Sequence, residues 1–234
     1  IMGMSLPFGG HLSHGHKVNF SSRFYKSVQY SLGRDGFLDY DAIRKLAYKE
    51  KPKIIVAGAT AYPRKFDFRK FGLIAHEVGA YFLADISHEA GLVAAKVHPS
   101  PFPHADIVTT TTHKTLRGPR GAVIFSKDKE IALKIDRAVF PSLQGGPHMN
   151  TIAAIGICFE EVLNPSFKKY IKQVVKNAQV LASELKKHGF NLVSGGTDNH
   201  LILVDLKNKN ISGREAQDRL EKIGIIVNRN TVPG

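Results

Sequence analysis

Short apolar strands alternate with amphipathic helices between residues 41 and 125, and this alternation restricts the fold more than any other feature of the chain. Four strands are predicted, at residues 53–58, 81–84, 106–112 and 121–125. Apolar residues at three- and four-residue spacing predict helices at 41–50 and 67–78, and a short helix is expected at 89–93. Strands and helices in this order predict an α/β domain with a mainly parallel sheet.

The flanking regions carry weaker signals. The first thirty-odd residues are rich in Gly, His and Ser, and they are interpreted as loop. An apolar stretch predicts a buried helix at residues 150–162, and a long helix with one apolar stripe follows at 166–188. Shorter elements are predicted beyond it: a strand at 201–206, a helix at 213–223 and a strand at 225–227.

A change of domain is predicted after about residue 165. Residues 1–165 would form most of a large domain. Residues 166–234 would form a linking helix and part of a small C-terminal α+β domain.

Charge and cysteine content restrict the function classes. Lysine and arginine exceed aspartate and glutamate by 33 to 20, and the net charge of +13 favours anionic partners such as nucleic acid, phosphates or polycarboxylates. A generally basic surface explains the charge equally well, because the lysines are dispersed. No apolar run reaches the ~18 residues needed to span a bilayer. The single cysteine, Cys158, excludes an internal disulfide and a cysteine-based zinc site, and it fits a reducing cytoplasm.

Reactive side chains follow three of the predicted strands. Thr60 comes after the first strand. Asp85, Ser87 and His88 come after the second, and His113 and Lys114 come after the third. Ligands of open parallel sheets bind outside the carboxyl ends of the strands. We therefore expect these side chains to meet at one edge of the sheet.

Lys114 follows a strand directly, which is an unusual position for an ammonium group. Burial there would lower its pKa and free the amine for Schiff-base chemistry. An acid on a neighbouring strand, Asp85, would keep a pyridinium nitrogen protonated, as pyridoxal phosphate requires. The residues alone leave an alternative open, in which Lys114 reaches solvent and Asp85 caps a helix.

Two further patterns are weaker. The Gln-Gly-Gly-Pro run at 144–147 precedes a helix, so its amides would hold a phosphate or form an ordinary turn. His11, His14 and His16 lie close together, but no carboxylate or cysteine completes a ligand set, and no metal is predicted. Neither a Walker-type phosphate loop nor a GxGxxG turn is present in the sequence.

TTTTHKT at residues 109–115, followed by LRGPRG, closely resembles the active-site segment of the serine hydroxymethyltransferases. The resemblance covers essentially the whole chain in order. Further matching segments are MGMSLPFGGHLSHG at 2–15, ADISHEAGLVA at 84–94, QGGP at 144–147 and SGGTDNHLILVDL at 194–206. It implies an aspartate-aminotransferase-like, fold type I enzyme that depends on pyridoxal 5′-phosphate.

The resemblance also implies roles for individual residues. Lys114 would carry the cofactor covalently, and Asp85 would pair with its pyridine nitrogen. His88 would contact the phenolic oxygen, and His11 would stack on the ring. Thr60 stands where the family commonly has a serine that touches the cofactor.

Other roles concern the lysine loop, the dimer and the second substrate. His113 and Thr111 would flank the lysine, and Arg120 would help to position its loop. Gly146 would bind the cofactor phosphate of a neighbouring subunit, which implies a homodimer with a shared active site. The tetrahydrofolate site would be lined by Leu6, Gly10, His11 and Leu12.

The implied activity is the interconversion of serine and glycine, with transfer of the one-carbon unit to tetrahydrofolate as co-substrate. A cytoplasmic enzyme without nucleic-acid or membrane partners is expected. Ser87 and Glu89, together with Pro7 and Phe8, depart from the family pattern and are interpreted as tolerated local variants.

Parts of the family pattern are missing from the 234 residues. The phosphate-binding segment and the tyrosine and glutamate of the family's N-terminal part are not found, nor is the arginine for the substrate carboxylate. We expect the chain to be part of a longer protein, and the segment alone to be inactive. The alternatives are a threonine aldolase or aminotransferase of the same fold, a basic nucleic-acid-binding module and an inert structural fragment.

Overall fold

A six-stranded sheet forms the centre of the computed structural model, which describes residues 1–232. Its strands are Met2–Met4 (β1), Val28–Tyr30 (β2), Ile54–Ala57 (β3), Tyr81–Asp85 (β4), Ile107–Thr111 (β5) and Ala122–Ser126 (β6). The spatial order is β2-β1-β3-β4-β5-β6, and neighbouring strands are parallel except for the antiparallel pair β5–β6. A separate antiparallel pair joins Asn191–Leu192 (β7) to Val204–Asp205 (β8).

Helices follow most of the strands. They are Phe20–Phe24 (α1), Tyr40–Glu50 (α2), Phe68–Glu77 (α3), Ala90–Ala94 (α4), Lys129–Arg137 (α5), Met149–Leu163 (α6), Pro165–Lys187 (α7) and Gly213–Glu221 (α8). Side-chain caps fix several helix starts, because they accept hydrogen bonds from amides that have no partner inside the helix. Asp39 accepts from the amides of Asp41 and Ala42 at the start of α2, and Asp67 accepts from Lys70 at the start of α3.

The predicted α/β class with a mainly parallel sheet is confirmed, and β3 to β6 lie where the alternation placed them. The interpretation of the first thirty residues as loop was wrong in part, because they contain α1 and the strands β1 and β2. Each of these strands has three residues, which is too short to show a period. Met2 and Met4 of β1 are nonetheless fully buried in the middle of the sheet.

Two other expectations were also wrong. The helix predicted to be buried, α6, is largely exposed in this chain, with Ile157 65% and Leu163 81% accessible. The strand predicted at 225–227 is absent from the residues described, and the one predicted at 201–206 shortens to β8. Ser212 caps the start of α8, since its hydroxyl accepts from the Glu215 amide at 3.1 Å. The domain boundary after residue 165 stays a prediction.

None of the helices within residues 1–232 combines the length and the apolar character that crossing a membrane requires.

Residues 197–199 dock onto the loop that follows β3. Asn199 is fully buried, and its side-chain amide donates to the Tyr62 carbonyl at 3.0 Å and accepts from the Leu201 amide at 2.8 Å. Arg64 donates to the Asp198 carboxylate at 2.8 Å. These bonds attach the chain beyond α7 to the edge of the large sheet.

We predict that Asn199→Ala lowers the free energy of unfolding by about 2–4 kcal/mol, because it leaves a buried carbonyl and a buried amide without partners. Thermal unfolding of the full-length protein measures the loss. Asn208→Ala is the matched control, since Asn208 is exposed and its amide makes a single bond, to the Gly189 carbonyl. Equal melting temperatures for the two variants would contradict the docking role of Asn199.

Candidate active site

The register of the parallel strands brings the reactive strand ends together. Ala57 of β3 pairs with Ala84 of β4, and Asp85 pairs with Thr109 of β5. The chain after β3 therefore lies beside Asp85, and the chain after β5 continues to Lys114 on the same edge of the sheet. This edge, built from the ends of β3, β4 and β5, is the candidate active site.

Asp85 is held by three hydrogen bonds. Its Oδ2 contacts Nε2 of His14 at 2.9 Å, and its Oδ1 accepts from the Ser87 hydroxyl at 2.6 Å and the Ser87 amide at 3.1 Å. Burial alone would raise the pKa of Asp85, but the hydrogen bond and charge of His14 and the bonds from Ser87 outweigh it and lower the pKa to about 2. The site therefore contains a fixed negative charge at neutral pH.

Lys114 lies half-buried in the loop after β5. Burial lowers the pKa of its amine, and the negative charges of Asp85 and Glu89 partly oppose this effect. The next residue secures the loop, because the Thr115 hydroxyl donates to the His88 carbonyl at 2.8 Å and accepts from the Gly91 amide at 2.9 Å. The pKa of this amine is thus lower than that of a surface lysine, and the charge of Asp85 acts on it.

Three imidazoles surround these two groups. The rings of His88 and His200 lie parallel, with centroids 6.3 Å apart and planes 16° apart. Burial lowers the pKa of His88 to about 4, with further contributions from Lys114 and His200. Burial also lowers the pKa of His200 to about 4, and burial lowers that of His11. All three are therefore neutral at pH 7, and each offers one donor and one acceptor nitrogen.

The loop after β1 closes the site from one side. The Gly9 carbonyl accepts from the amides of Thr60 at 2.7 Å and Ala61 at 3.1 Å, which joins this loop to the end of β3. Gly10 leaves no room for a side chain, since a Cβ there would meet the Met4 carbonyl. His11 follows, with Nδ1 2.7 Å from the Ser13 hydroxyl.

Leu6, Leu12, Thr111 and His113 are also predicted site residues. Leu6 and Leu12 lie in the same loop as His11, where Leu6 is half-buried and Leu12 is 40% exposed. The Thr111 amide donates to the Ser87 hydroxyl at 3.1 Å. Nδ1 of His113 is buried and has no hydrogen-bond partner within residues 1–232.

The roles implied for Arg120 and Gly146 stay predictions. Both are exposed, and Arg120 makes no hydrogen bond or ion pair within the described part of the protein. The same residues contain no group of three or more His, Cys, Asp or Glu side chains placed to hold a metal. His14, considered with His11 as a metal ligand, instead contacts Asp85.

The sequence reasoning placed Ser87 after the second strand, at this edge, but it assigned no role at the site to His14, Glu89 or His200. His14 was visible as a histidine three residues after His11, but no pattern indicates that its loop crosses the end of β4. His200 lies more than one hundred residues from His88 along the chain. Only the docking of residues 197–199 brings it to the site.

Comparison with known proteins identifies the family. The family model for serine hydroxymethyltransferase matches residues 1–234. The chain belongs to the serine hydroxymethyltransferase family. A serine hydroxymethyltransferase from Desulfotalea psychrophila (strain LSv54 / DSM 12343) is 58% identical over 233 residues, which cover 100% of this chain and 55% of that protein. The chain thus spans about half the length of the curated relative it matches. Membership confirms the predicted fold type I architecture of a serine hydroxymethyltransferase.

We predict that Ser87→Ala raises the pKa of Asp85 by about one unit, because it removes one charge-assisted hydrogen bond. A carboxyl whose pKa is depressed on folding stabilises the protein above its unfolded pKa and loses that contribution as pH falls through its folded pKa. The variant should therefore lose about 1 kcal/mol of stability at neutral pH, and the loss should fade towards about pH 2. Carboxyl ¹³C NMR of aspartate-labelled full-length protein measures the pKa.

Ser166→Ala is the control, because Ser166 is an exposed serine on α7, away from Asp85. An Asp85 titration that is the same in Ser87→Ala, Ser166→Ala and the unsubstituted protein would show that the Ser87 hydroxyl does not act on this carboxylate.

Proposed function

We propose that the full-length protein interconverts serine and glycine and transfers the one-carbon unit to tetrahydrofolate. The observation that carries the proposal is that one edge of the sheet holds both a half-buried amine, Lys114, and a carboxylate, Asp85, that His14 and Ser87 keep ionised. Both groups occur in a chain whose residues 1–234 match the serine hydroxymethyltransferase family.

Asp85 and Lys114 suit two different parts of pyridoxal 5′-phosphate, its ring nitrogen and its aldehyde. An ionised Asp85 suits a protonated pyridine nitrogen, and an amine of lowered pKa suits an aldehyde. In this proposal Lys114 binds the cofactor covalently and Asp85 holds its ring nitrogen. His88 contacts the phenolic oxygen, and His11 stacks on the ring. Thr60 and Thr111 contact the cofactor from the ends of β3 and β5.

When bound, pyridoxal phosphate supplies an electron sink for bond cleavage at the amino-acid Cα. The chain's own part is orientation and charge. Asp85 keeps its negative charge because His14 and Ser87 donate to it, so a proton placed on the ring nitrogen opposite is stabilised. His88, neutral and stacked on His200, offers a hydrogen-bonding nitrogen without adding positive charge. His113 and Arg120 are proposed to position the lysine loop.

The loop after β1 is proposed as the tetrahydrofolate side of the site. Leu6, Gly10 and Leu12 lie on it next to His11, and Leu12 presents an apolar side chain that is 40% exposed. The bonds from Thr60 and Ala61 to Gly9 hold this loop at the edge of the sheet. An apolar surface beside a neutral imidazole suits a flat heterocycle.

A homodimer with a shared active site is proposed from the surface of α6 and the turn before it. The exposed apolar side chains in this region are Phe140, Leu143, Met149, Ile152, Ile157 and Leu163. Several large apolar side chains exposed on one segment are typical of a protein interface. Gly146 lies in the same region, with open space around it, and would reach the cofactor phosphate of the neighbouring subunit. We place the enzyme in the cytoplasm, which agrees with a single free cysteine.

Sedimentation equilibrium of the full-length protein should give the mass of a dimer, and Ile157→Glu should weaken the dimer by at least tenfold, because it buries a charge in the interface. Val180→Glu is the control, since Val180 is a similarly exposed apolar residue on α7. A monomer in the unsubstituted protein, or equal effects of the two substitutions, would argue against this interface.

Serine cleavage by the full-length protein, measured with and without tetrahydrofolate, tests the activity itself. Borohydride reduction followed by peptide mapping should place the cofactor on Lys114, and Lys114→Ala should abolish the label. Asp85→Asn should retain the label but lose several decades of turnover, at ~1.4 kcal/mol per decade, because asparagine does not stabilise a protonated ring nitrogen. A label on another lysine would refute the role of Lys114. A rate of serine cleavage that is the same with and without tetrahydrofolate would indicate an aldolase instead.

A further inference from the structure

Glu89 is a buried carboxyl that the proposed mechanism does not use. It is 1% exposed, and neither of its carboxyl oxygens has a hydrogen-bond partner within residues 1–232. Buried carboxylates are normally paired, because an isolated charge is costly to remove from water. Packing alone therefore does not account for a glutamate at this position.

The backbone holds Glu89 beside the lysine loop. Its neighbour His88 accepts from the Thr115 hydroxyl through its carbonyl, and Gly91 donates to the same hydroxyl through its amide. The segment that carries Glu89 is thus bonded on both sides to the residue after Lys114. Glu89 also begins α4, because its carbonyl accepts from the Val93 amide at 2.8 Å.

Two charged groups act on Glu89 from the elements around it. Asp85 lies at the end of β4, four residues earlier, and Lys114 lies in the loop after β5. The helix α7 packs on α4 through Phe167 and Ile171, which are apolar. Burial, with a smaller contribution from the charge of Asp85, raises the pKa of Glu89 to about 8 against the opposing effects of its own backbone amide and of Lys114, so the carboxyl is protonated at neutral pH.

We propose that Glu89 is a positioning residue that controls the charge of Lys114: as a neutral acid it leaves the amine free to react with an aldehyde, and as a carboxylate it holds the amine as an ammonium ion. The proposal rests on the proposed role of Lys114 as the cofactor-binding amine. The two groups act on each other: a negative charge on Glu89 raises the pKa of Lys114, and the ammonium group of Lys114 lowers the pKa of Glu89.

The reactivity of Lys114 as a function of pH tests this coupling. Full-length protein freed of cofactor is labelled competitively with acetic anhydride, and mass spectrometry follows the Lys114 peptide. Glu89→Gln copies the neutral acid at every pH. Below about pH 7 it should match the unsubstituted protein. Near pH 9 its Lys114 should react about tenfold faster, since a buried negative charge that acts on the amine has been removed. Glu130→Gln, which replaces an exposed glutamate on α5, should change nothing.

Infrared difference spectra of the unsubstituted protein give a second readout that does not require the variant to fold. A carboxylic-acid C=O band should be present near pH 6 and should disappear as pH rises through about 8. The same transition should appear in the Lys114 labelling curve. Where Glu89→Gln folds, it should lack this band.

Two results would overturn the proposal. One is a Lys114 labelling curve that is identical in Glu89→Gln and the unsubstituted protein, which is what a purely structural role predicts. The other is the absence of the acid band near pH 6. Because labelling needs no cofactor, either result can be told apart from failure of the proposed function, which would appear as a borohydride label on another lysine.

Discussion

Asp85 lies opposite Thr109 across the parallel strands β4 and β5, and the position of every reactive group depends on this pairing. Parallel strands end at the same edge of a sheet, so the side chains that follow β3, β4 and β5 meet there. The strand β1 is parallel to β3, so the loop after β1 lies at the same edge, where His14 contacts Asp85. The glycines in these elements reflect the close approach: a Cβ on Gly3 would meet the His14 carbonyl, and one on Gly58 would meet the Asp85 carbonyl.

Burial acts on Lys114, His88, Glu89 and Asp85 at this edge, and it favours the uncharged form of each. It lowers the pKa values of Lys114 and His88 and raises that of Glu89. Asp85 is the exception, because hydrogen bonds from His14 and Ser87 stabilise its carboxylate more than burial destabilises it. The result is one fixed negative charge beside an amine whose pKa is lowered. Such an arrangement suits the proposed cofactor, because pyridoxal chemistry needs a stabilised cationic ring nitrogen and an amine that reacts with an aldehyde.

Strong periodicity made the central part of the fold predictable from the sequence, including β3 to β6 and the helices α2 and α3. The three-residue strands β1 and β2 were missed, because strands that short show no alternation. The helix α6 was predicted to be buried because it is apolar, but it is exposed in this chain. Composition does not tell whether an apolar surface is covered by its own chain or by another copy. Lys114 and Asp85 were found by the strand-end rule. His14 and His200 were not, because they depend on which loops cross the edge, and this is decided by tertiary packing.

The turn between β4 and α4 carries two of the departures from the family pattern, Ser87 and Glu89, and these two residues act on neighbouring charges. Ser87 stabilises the carboxylate of Asp85, and the resulting negative charge opposes the ionisation of Glu89 four residues later. Ionising both of two neighbouring buried acids is unfavourable, because their negative charges repel. The groups that donate hydrogen bonds to Asp85 therefore determine that Asp85 is ionised and that Glu89 keeps its proton. The proton on Glu89 in turn removes a charge that would favour the ammonium form of Lys114. Variation in this turn therefore changes the protonation of the site while Asp85 and Lys114 themselves stay in place.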